Sequence, residues 1–433
     1  MGDPMLCAKA SKVTAAGIAV ALLLAACGRE DSSGGESQPE EGGPIGSGAA
    51  TGTVTMWAQG AEAEALPALV DEFEAANPGV TVEVTAIPWD AAHNKYQTAI
   101  AGGNPPDVAQ MGTTWMGDFS DAFDPTPSDI DTSVFFPGSL GSTEVNGTTF
   151  GVPWYVDTRV IYYRTDLAAD AGYSSFPTTW DDFKELAEAY QSEAGATYGV
   201  QLPAGGTDSF QSMLPFPWSN GAELMSEDGR WTLDTPEMVE AMSYYQSFFA
   251  EGIADMNPAT GAGAAESIFV DGTAPMMIAS PANIGALEQA GGPEFADKYA
   301  VAPIPASSSG DIGTSFVGGS DLVVFKDGGN RDAAWKLIQW LSQPDVQVSL
   351  YEAIGDLPAV QSAWTDSSLS EDPRLAVFGD QLEHTNAPPS IPTWTQVAAA
   401  GDSQLERIVK SGADPAEALR ALQEEADAIG TGT

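Results

Sequence analysis

The sequence predicts an α/β protein that divides into at least two lobes. Residues 54–56 and 80–84 show the apolar alternation of strands, and residues 66–73 between them have helical spacing. This strand-helix-strand order is typical of a parallel sheet covered by helices. At 433 residues, with 43% hydrophobic residues, the chain is globular in composition but too long for a single core.

Later segments continue the same alternation. Asn77-Pro78-Gly79 ends the first helix, and a second helix is predicted over 91–101, before a strand at Val108. Helices are also predicted over 180–190, 237–249, 332–341 and 415–429, and strands over 198–202, 276–278, 301–304 and 322–325.

The N-terminus has the order of a secretory signal. Apolar residues 15–26 follow Lys9 and Lys12, and the stretch is shorter than the roughly 20 residues that span a bilayer. The sequence LAAC at 24–27 resembles the lipobox of bacterial lipoproteins, in which the cysteine carries a diacylglycerol. We therefore predict a lipoprotein signal peptide over 1–26, lipidation of Cys27 and a flexible tether over 27–52. The alternative is an ordinary secretory signal with an incidental cysteine.

Composition excludes several kinds of chemistry. A formal charge of −45 repels nucleic acid and anionic lipid. Cys7 and Cys27 are the only cysteines, so the mature body has no disulfide, zinc-thiolate site or cysteine nucleophile. There is no phosphate-binding loop and no Gly-x-Ser-x-Gly, and neither His93 nor His384 lies in a metal-ligand spacing. We predict no metal, no cofactor and no catalytic residues. Among 61 acidic residues, however, a glycosidase carboxylate pair stays an open alternative.

One segment carries a family resemblance. Residues 151–167, GVPWYVDTRVIYYRTDL, resemble the signature of family 1 extracellular solute-binding proteins, the sugar receptors of ABC importers. Further matches follow in the family's order: VTMW at 54–57, NPGV at 77–80, GNPPDV at 103–108, FVDG at 269–272, DAAW at 332–335 and GDLP at 355–358. Each match is weak alone, but their shared order covers nearly all of the mature chain.

The resemblance implies a two-lobed periplasmic-binding-protein-like fold of type II, with hinge-connected lobes and a central ligand cleft. Crossovers are expected near 157–159 and 304–309. Lobe 1 would comprise 53–157 and 306–360, and lobe 2 would comprise 158–305 and 361–433. The implied protein is a monomeric extracytoplasmic lipoprotein, anchored to the cell membrane, that captures a di- or oligosaccharide and delivers it to ABC permease subunits. It is not an enzyme.

Aromatic candidates follow from sugar chemistry. A pyranose has apolar faces that aromatic rings cover and a rim of hydroxyls that carboxylates and amides bind. Trp57 and Trp115 follow predicted strand ends, where open sheets bind ligands. Trp218 and Trp394 are predicted as loop residues that face the cleft.

Polar candidates come from the same strand ends and from the resemblance. Asp157 matches the acidic sugar ligand of maltose and trehalose receptors, and Tyr155 matches a ligand tyrosine of the trehalose type. The alternative for Asp157 is a structural ion pair with Arg159. The other polar candidates are Gln59, Glu62, Thr113, Thr114 and Ser320.

Departures from the family leave the sugar open. Ser320 replaces an aromatic residue, Ala282 replaces a tryptophan, and Arg164 replaces an asparagine in what we predict to be a lobe-surface change. An arginine expected near Asn386 in trehalose receptors is missing. Two other functions are weighed against sugar import: an extracellular glycan-cleaving enzyme with paired carboxylates, and a carbohydrate-binding surface sensor or adhesin.

Overall fold

The computed structural model describes residues 42–432, apart from 227, 260, 262, 293 and 309–310. The predicted signal peptide, Cys27 and the tether up to residue 41 lie outside the described residues. From Gly42 onward the chain packs on the body: the backbone N–H of Ile45 donates to Asp129 Oδ2 at 2.7 Å, and Ala50 is buried. The predicted tether 27–52 therefore extends too far at its C-terminal end.

Twelve strands occur within the described residues. They are β1 (Thr51–Gln59), β2 (Gly79–Ile87), β3 (Val108–Gly112), β4 (Glu144–Val145), β5 (Thr148–Thr149), β6 (Val152–Thr158), β7 (Val160–Arg164), β8 (Met276–Ala279), β9 (Tyr299–Ala302), β10 (Ser315–Val324), β11 (Leu357–Pro358) and β12 (Thr385–Asn386).

The helices of the described residues include every predicted helix, with bounds close to those expected, and further helices that were not predicted. They are α1 (Gly60–Ala76), α2 (Trp89–Ala101), α3 (Met116–Phe119), α4 (Pro137–Leu140), α5 (Thr165–Asp170), α6 (Trp180–Ser192), α7 (Ser209–Met213), α8 (Pro215–Ser219), α9 (Pro236–Ala250), α10 (Ala264–Val270), α11 (Ala282–Gly291), α12 (Arg331–Leu341), α13 (Pro344–Ile354), α14 (Ser367–Ser370), α15 (Pro373–Leu382), α16 (Trp394–Ser411) and α17 (Pro415–Ile429). None of them is long and apolar enough to cross a membrane.

The larger sheet has the strand order β11-β6-β10-β3-β1-β2, with β12 beside β10. β1 is parallel to β2 and β3, because α1 and α2 carry the chain back over the sheet between them. β10 is antiparallel to both β3 and β6. Met56 of β1, Leu66 of α1 and Trp335 of α12 are buried together and anchor this layer.

A smaller sheet, in which β7 lies between β8 and β9, belongs to the second lobe. Helices α6, α9, α16 and α17 bury their apolar faces in a separate core, which contains Phe183, Tyr245, Ile408 and Leu422. Local signals fix these helices: Thr179 caps α6 by accepting from the N–H of Asp182.

The chain passes between the lobes three times. β6 belongs to the larger sheet and β7 to the smaller one, and Arg159 alone separates them. The chain returns between β9 and β10, and it leaves again after β12, because α16 packs against α7 and α17. The predicted α/β fold of two hinge-connected lobes is therefore confirmed. Since β12 pairs with β10, residues 385–386 lie on the larger sheet, whereas the predicted range 361–433 placed them in lobe 2.

Two local predictions are wrong. Residues 198–202 form no strand, because only Gln201 makes a bridge, to Met277. Arg164 is not a surface change: its side chain is largely buried, pairs with Asp166 at 2.7 Å and donates to the carbonyl of Val270 at 2.8 Å. It is covered because β7 is the central strand of its sheet.

Candidate ligand-binding site

One row of residues across the larger sheet brings the predicted polar positions together. The strand register pairs Gly112 with Ser320, Ser320 with Tyr155, and Tyr155 with Pro358. This row runs past the carboxyl end of β3 and beside the end of β1, where Gln59 leads into α1. Open α/β sheets bind ligands at such an edge.

A ring of four polar side chains, Glu62, Gln110, Ser320 and Tyr155, occupies this edge. Gln110 Nε2 donates to Glu62 Oε1 and to Ser320 Oγ, both at 3.1 Å, and Ser320 Oγ donates to the Tyr155 hydroxyl at 3.1 Å. The Tyr155 hydroxyl in turn lies close enough to the Glu62 carboxylate to be affected by its charge. Burial and the Glu62 charge raise the pKa of Tyr155 far above its usual range, so Tyr155 keeps its proton and serves as a donor. The ring thus directs its donors at the Glu62 carboxylate.

Gln59 supports the ring from behind. Its backbone N–H donates to Gln110 Oε1 at 2.7 Å, and its Nε2 donates to the Tyr96 hydroxyl at 2.6 Å. Gln59 and Ser320 have no exposed surface, whereas both were predicted as ligand contacts. Gln59 lies beneath the site rather than on its surface, because the β1 backbone turns into α1 directly above it, and the Ser320 hydroxyl is already bonded to Gln110 and Tyr155.

Sequence reasoning missed Gln110 as a site residue. It is a polar residue in the otherwise apolar strand Val108–Gly112, and it is fully buried. A buried amide has to find hydrogen-bond partners, so a lone polar residue in such a strand is a usable signal.

Asp356 lies close enough to two other carboxyl groups, Glu62 and Asp157, to be affected by their charges. Burial, together with the charges of Glu62 and Asp157, raises the pKa of Asp356 to about 7. Asp356 directly precedes β11, which pairs with β6, and so it reaches the site from 200 residues away in sequence. It was missed as a site residue although it belongs to the GDLP motif at 355–358.

Asp157 takes part in the ion pair that was its alternative role. Arg159 Nη1 lies 2.5 Å from Asp157 Oδ2. The other oxygen, Oδ1, is buried and has no hydrogen-bond partner within the described residues. Asp157 therefore uses one oxygen for Arg159 and has the second available as an acceptor.

An aromatic rim borders the site on lobe 1. Trp115 ends a short 3₁₀ turn that contains Thr113 and Thr114, and all three are half-buried directly after β3. Trp57 is also half-buried, but the ammonium of Lys95 lies 4.3 Å from its ring centroid and covers one face. Trp57 is therefore a weaker stacking surface than predicted.

A second wall, beside the connection between the lobes, comes mostly from lobe 2. A cavity of about 90 Å³ is lined by Arg159, Gln211, Phe216, Tyr245 and Phe316, among others. The Arg159 guanidinium lies 5.8 Å from the Phe316 ring and also pairs with Asp157. Arg159 therefore connects this cavity with the acidic group, which consists of Glu62, Asp157 and Asp356.

Trp218 and Trp394 do not join these residues. Both are helical rather than loop residues, in α8 and at the start of α16, and both are buried. Trp218 instead lines a separate cavity of about 410 Å³ beside β4 and β5. Trp394 Nε1 donates to Gln211 Oε1 at 3.2 Å, so it supports a residue of the lobe 2 cavity from behind.

No group of three or more metal-ligating side chains occurs within the described part of the chain. His93 pairs with Asp118 at 2.8 Å and packs against Trp115 and Phe119. Its contacts hold the aromatic rim in place. The arrangement as a whole can bind hydroxyl groups and cover an apolar face.

The chain is similar to several known binding proteins. Residues 57–348 match the family described as bacterial extracellular solute-binding protein. The structure of the sugar-binding protein MalE from Xanthomonas citri superposes with a TM-score of 0.82 and 34% identity, over 87% of this chain and 97% of that chain. The GacH receptor of Streptomyces glaucescens, solved unliganded and with acarbose, gives a TM-score of 0.71 and 26% identity, over 88% and 98%.

The maltotriose-binding protein of Pyrococcus abyssi is 26% identical over 388 residues, which are 87% of this chain and 82% of that protein. The family match covers well over half of the 433 residues, and the two-lobed fold agrees with it. This protein is therefore a member of the bacterial extracellular solute-binding protein family.

Proposed function

We propose that this protein binds a di- or oligosaccharide between its lobes and delivers it to the permease of an ABC importer. The observation that carries the proposal is the ring of Glu62, Gln110, Ser320 and Tyr155, joined by three hydrogen bonds, beside an aromatic rim. A ring of this kind holds its acceptors in fixed positions before the ligand arrives, which lowers the entropy lost on binding.

Sugar chemistry fits both walls. Glu62, Asp157 and Asp356 offer carboxyl oxygens to hydroxyl donors, and charge-assisted hydrogen bonds are the stronger kind. Trp115 and Phe316 offer rings to the apolar faces of a pyranose. The similarity to a sugar-binding protein, a maltotriose-binding protein and a receptor solved in complex with acarbose supports a saccharide of more than one ring.

Lobe closure supplies the signal that a permease can recognise. Ligand held by both walls favours the closed arrangement over the open one by the difference in its contacts with each. Arg159 is the residue between β6 and β7, and it contacts both Asp157 and Phe316. A ligand that contacts Asp157 or Phe316 therefore also affects Arg159, the residue that connects the two lobes.

We further propose that the mature protein is a monomer anchored by a lipid on Cys27. The support is the LAAC sequence at 24–27 after an apolar stretch. A Cys27→Ala variant expressed in a bacterium with lipoprotein processing should appear in the soluble fraction and lose the mass of the lipid. Retention of this variant in the membrane fraction, with unchanged mass, would contradict the anchor.

The ligand is tested with a saccharide panel. We expect a rise in melting temperature with one or more di- or trisaccharides, growing with the logarithm of ligand concentration, and a matching calorimetric isotherm. Chromatography of the sugar after incubation separates binding from cleavage: intact sugar supports the proposal, and hydrolysis products would favour the glycan-cleaving alternative. No shift with any saccharide would contradict the proposal. Loss of uptake of the same sugar on gene deletion separates import from sensing or adhesion.

A further inference from the structure

Trp89 is an exposed indole next to the candidate site. It is the first residue of α2 and exposes 37% of its surface. A single exposed apolar side chain is common on soluble proteins and by itself indicates no function. Trp89 differs from such a residue because its neighbours include Glu62 of the hydrogen-bonded ring and Trp115 of the aromatic rim.

Trp89 and Glu62 converge on the same point of the backbone. A Cβ placed on Gly60 would lie 2.8 Å from Trp89 Nε1 and 2.7 Å from Glu62 Oε2. Gly60 also has a φ of +56°, a conformation that other residues seldom adopt. The glycine thus permits the indole N–H to approach the carboxylate end of the ring.

Trp115 connects Trp89 with the inner part of the site. The centroids of the two indoles are 5.6 Å apart, with the rings at 63° to each other. The Trp115 ring lies over Gly112, 3.3 Å from a Cβ placed there, and Gly112 pairs with Ser320 in the sheet. An aromatic strip therefore runs outward from Ser320 through Trp115 to Trp89.

The inner part of this strip is held rigidly. His93 contacts the Trp115 ring edge-on at 5.5 Å and the Phe119 ring at 4.8 Å, and its Nε2 lies 2.8 Å from Asp118. Rings that are already in place lose little conformational entropy when a ligand binds to them.

We propose that Trp89, together with Trp115, forms an outer subsite that stacks on a second sugar unit, while Glu62 and Tyr155 bind the hydroxyls of the first unit. This inference rests on the proposed sugar-binding function and adds that Trp89 selects for ligand length. Trp57 is a poorer candidate for the subsite, because Lys95 covers one of its faces.

The test compares affinities across chain length. Calorimetry measures glucose, maltose and maltotriose, and the corresponding β-1,4-glucose and N-acetylglucosamine series, with wild type, Trp89→Ala and Trp89→Phe. We expect Trp89→Ala to lower the ratio of trisaccharide to monosaccharide affinity by about tenfold. Trp89→Phe should restore most of the ratio, since phenyl also stacks. Met256→Ala, at an apolar residue of matched exposure (36%) in lobe 2, should leave the ratio unchanged.

The possible outcomes distinguish failure of the outer subsite from failure of the proposed sugar-binding function. Equal losses for one-ring and three-ring sugars, or no loss with Trp89→Ala while the wild type binds, would overturn the outer subsite and spare the proposed function. No binding of any of these saccharides by the wild type would overturn both. Unfolding curves of the variants, expected to match wild type because Trp89 is exposed, exclude misfolding as the cause.

Discussion

The two walls of the cleft are built differently. On lobe 1, the polar side chains of the ring bond to one another before any ligand is present, and Gln59 is fully buried beneath them. On lobe 2, the wall is a small cavity in which six apolar and aromatic residues outnumber the three polar ones, Arg159, Gln211 and Ser212. The difference indicates that lobe 1 fixes the orientation of the ligand's hydroxyls, while lobe 2 covers an apolar face and completes closure.

This comparison predicts the largest loss at the centre of the lobe 1 ring. Gln110→Ala removes two donors and leaves the N–H of Gln59 unsatisfied, so the affinity for the saccharide that the wild type binds best should fall about 100-fold, or about 3 kcal/mol. Gln347→Ala is the matched control, since Gln347 is also a buried amide but bonds to Trp154 and Val360. It should lower the melting temperature and spare affinity. Equal affinity losses in the two variants would contradict the difference between the walls.

The second effect is a pH dependence from the acidic group. The pKa of Asp356 is about 7 in the folded protein because of burial and the neighbouring charges of Glu62 and Asp157, whereas an unfolded chain ionises it near pH 4. The folded state therefore binds more protons between about pH 4 and 7, and stability falls as pH rises through this window and levels off above it.

Asp356→Asn removes this penalty. Relative to wild type, the variant should gain stability on the order of 2 kcal/mol at pH 8, and the gain should shrink towards pH 4. Urea unfolding at pH 4, 5, 6, 7 and 8 measures the difference. A difference that stays constant with pH would show that Asp356 does not titrate in this range.

A smaller loss of saccharide affinity is expected for Asp157, which pairs with Arg159 between the two walls. Asp157→Ala removes one charged acceptor from the site, so it should weaken saccharide binding by at least about 1.5 kcal/mol, roughly tenfold. Asp166→Ala breaks a comparable aspartate–arginine pair on lobe 2, away from the cleft, and should leave affinity unchanged. Calorimetry that finds unchanged affinity for Asp157→Ala would assign this residue to the ion pair alone.

The smallest loss of saccharide affinity is expected for Gln211, a residue of the lobe 2 wall. Gln211→Ala removes a neutral amide, and a neutral hydrogen bond contributes about 0.5–1.5 kcal/mol, so affinity should fall by about threefold. Gln191→Ala, at a half-buried glutamine that bonds to the carbonyls of Thr197 and Gly252, serves as the control. A loss at Gln211 as large as that at Gln110 would mean that both walls orient the ligand.

Much of the site could be predicted from strand ends and the family resemblance. Glu62, Tyr155, Asp157 and Ser320 were predicted, and the structure brings them into one row or beside it. Asp356 was missed because its place depends on β11 pairing with β6 across the sheet, a contact that local sequence does not encode.

The tryptophan predictions show a different limit. Trp218 was interpreted as a loop residue because Ser-Asn-Gly follows it, and Trp394 because a proline-rich stretch precedes it. Proline is tolerated in the first turn of a helix, and Pro215 is the first residue of α8. Trp89 was not among the predicted site residues; it precedes the predicted helix 91–101, whereas the structure makes it the exposed first residue of α2.

Solution scattering tests the central claim most directly, that both walls hold one saccharide. The protein is measured alone and with a saturating concentration of the saccharide that gives the largest thermal shift. We predict a smaller radius of gyration with ligand, because the lobes close around it. An unchanged scattering profile, with calorimetry showing the sugar bound in the same sample, would contradict capture between the lobes.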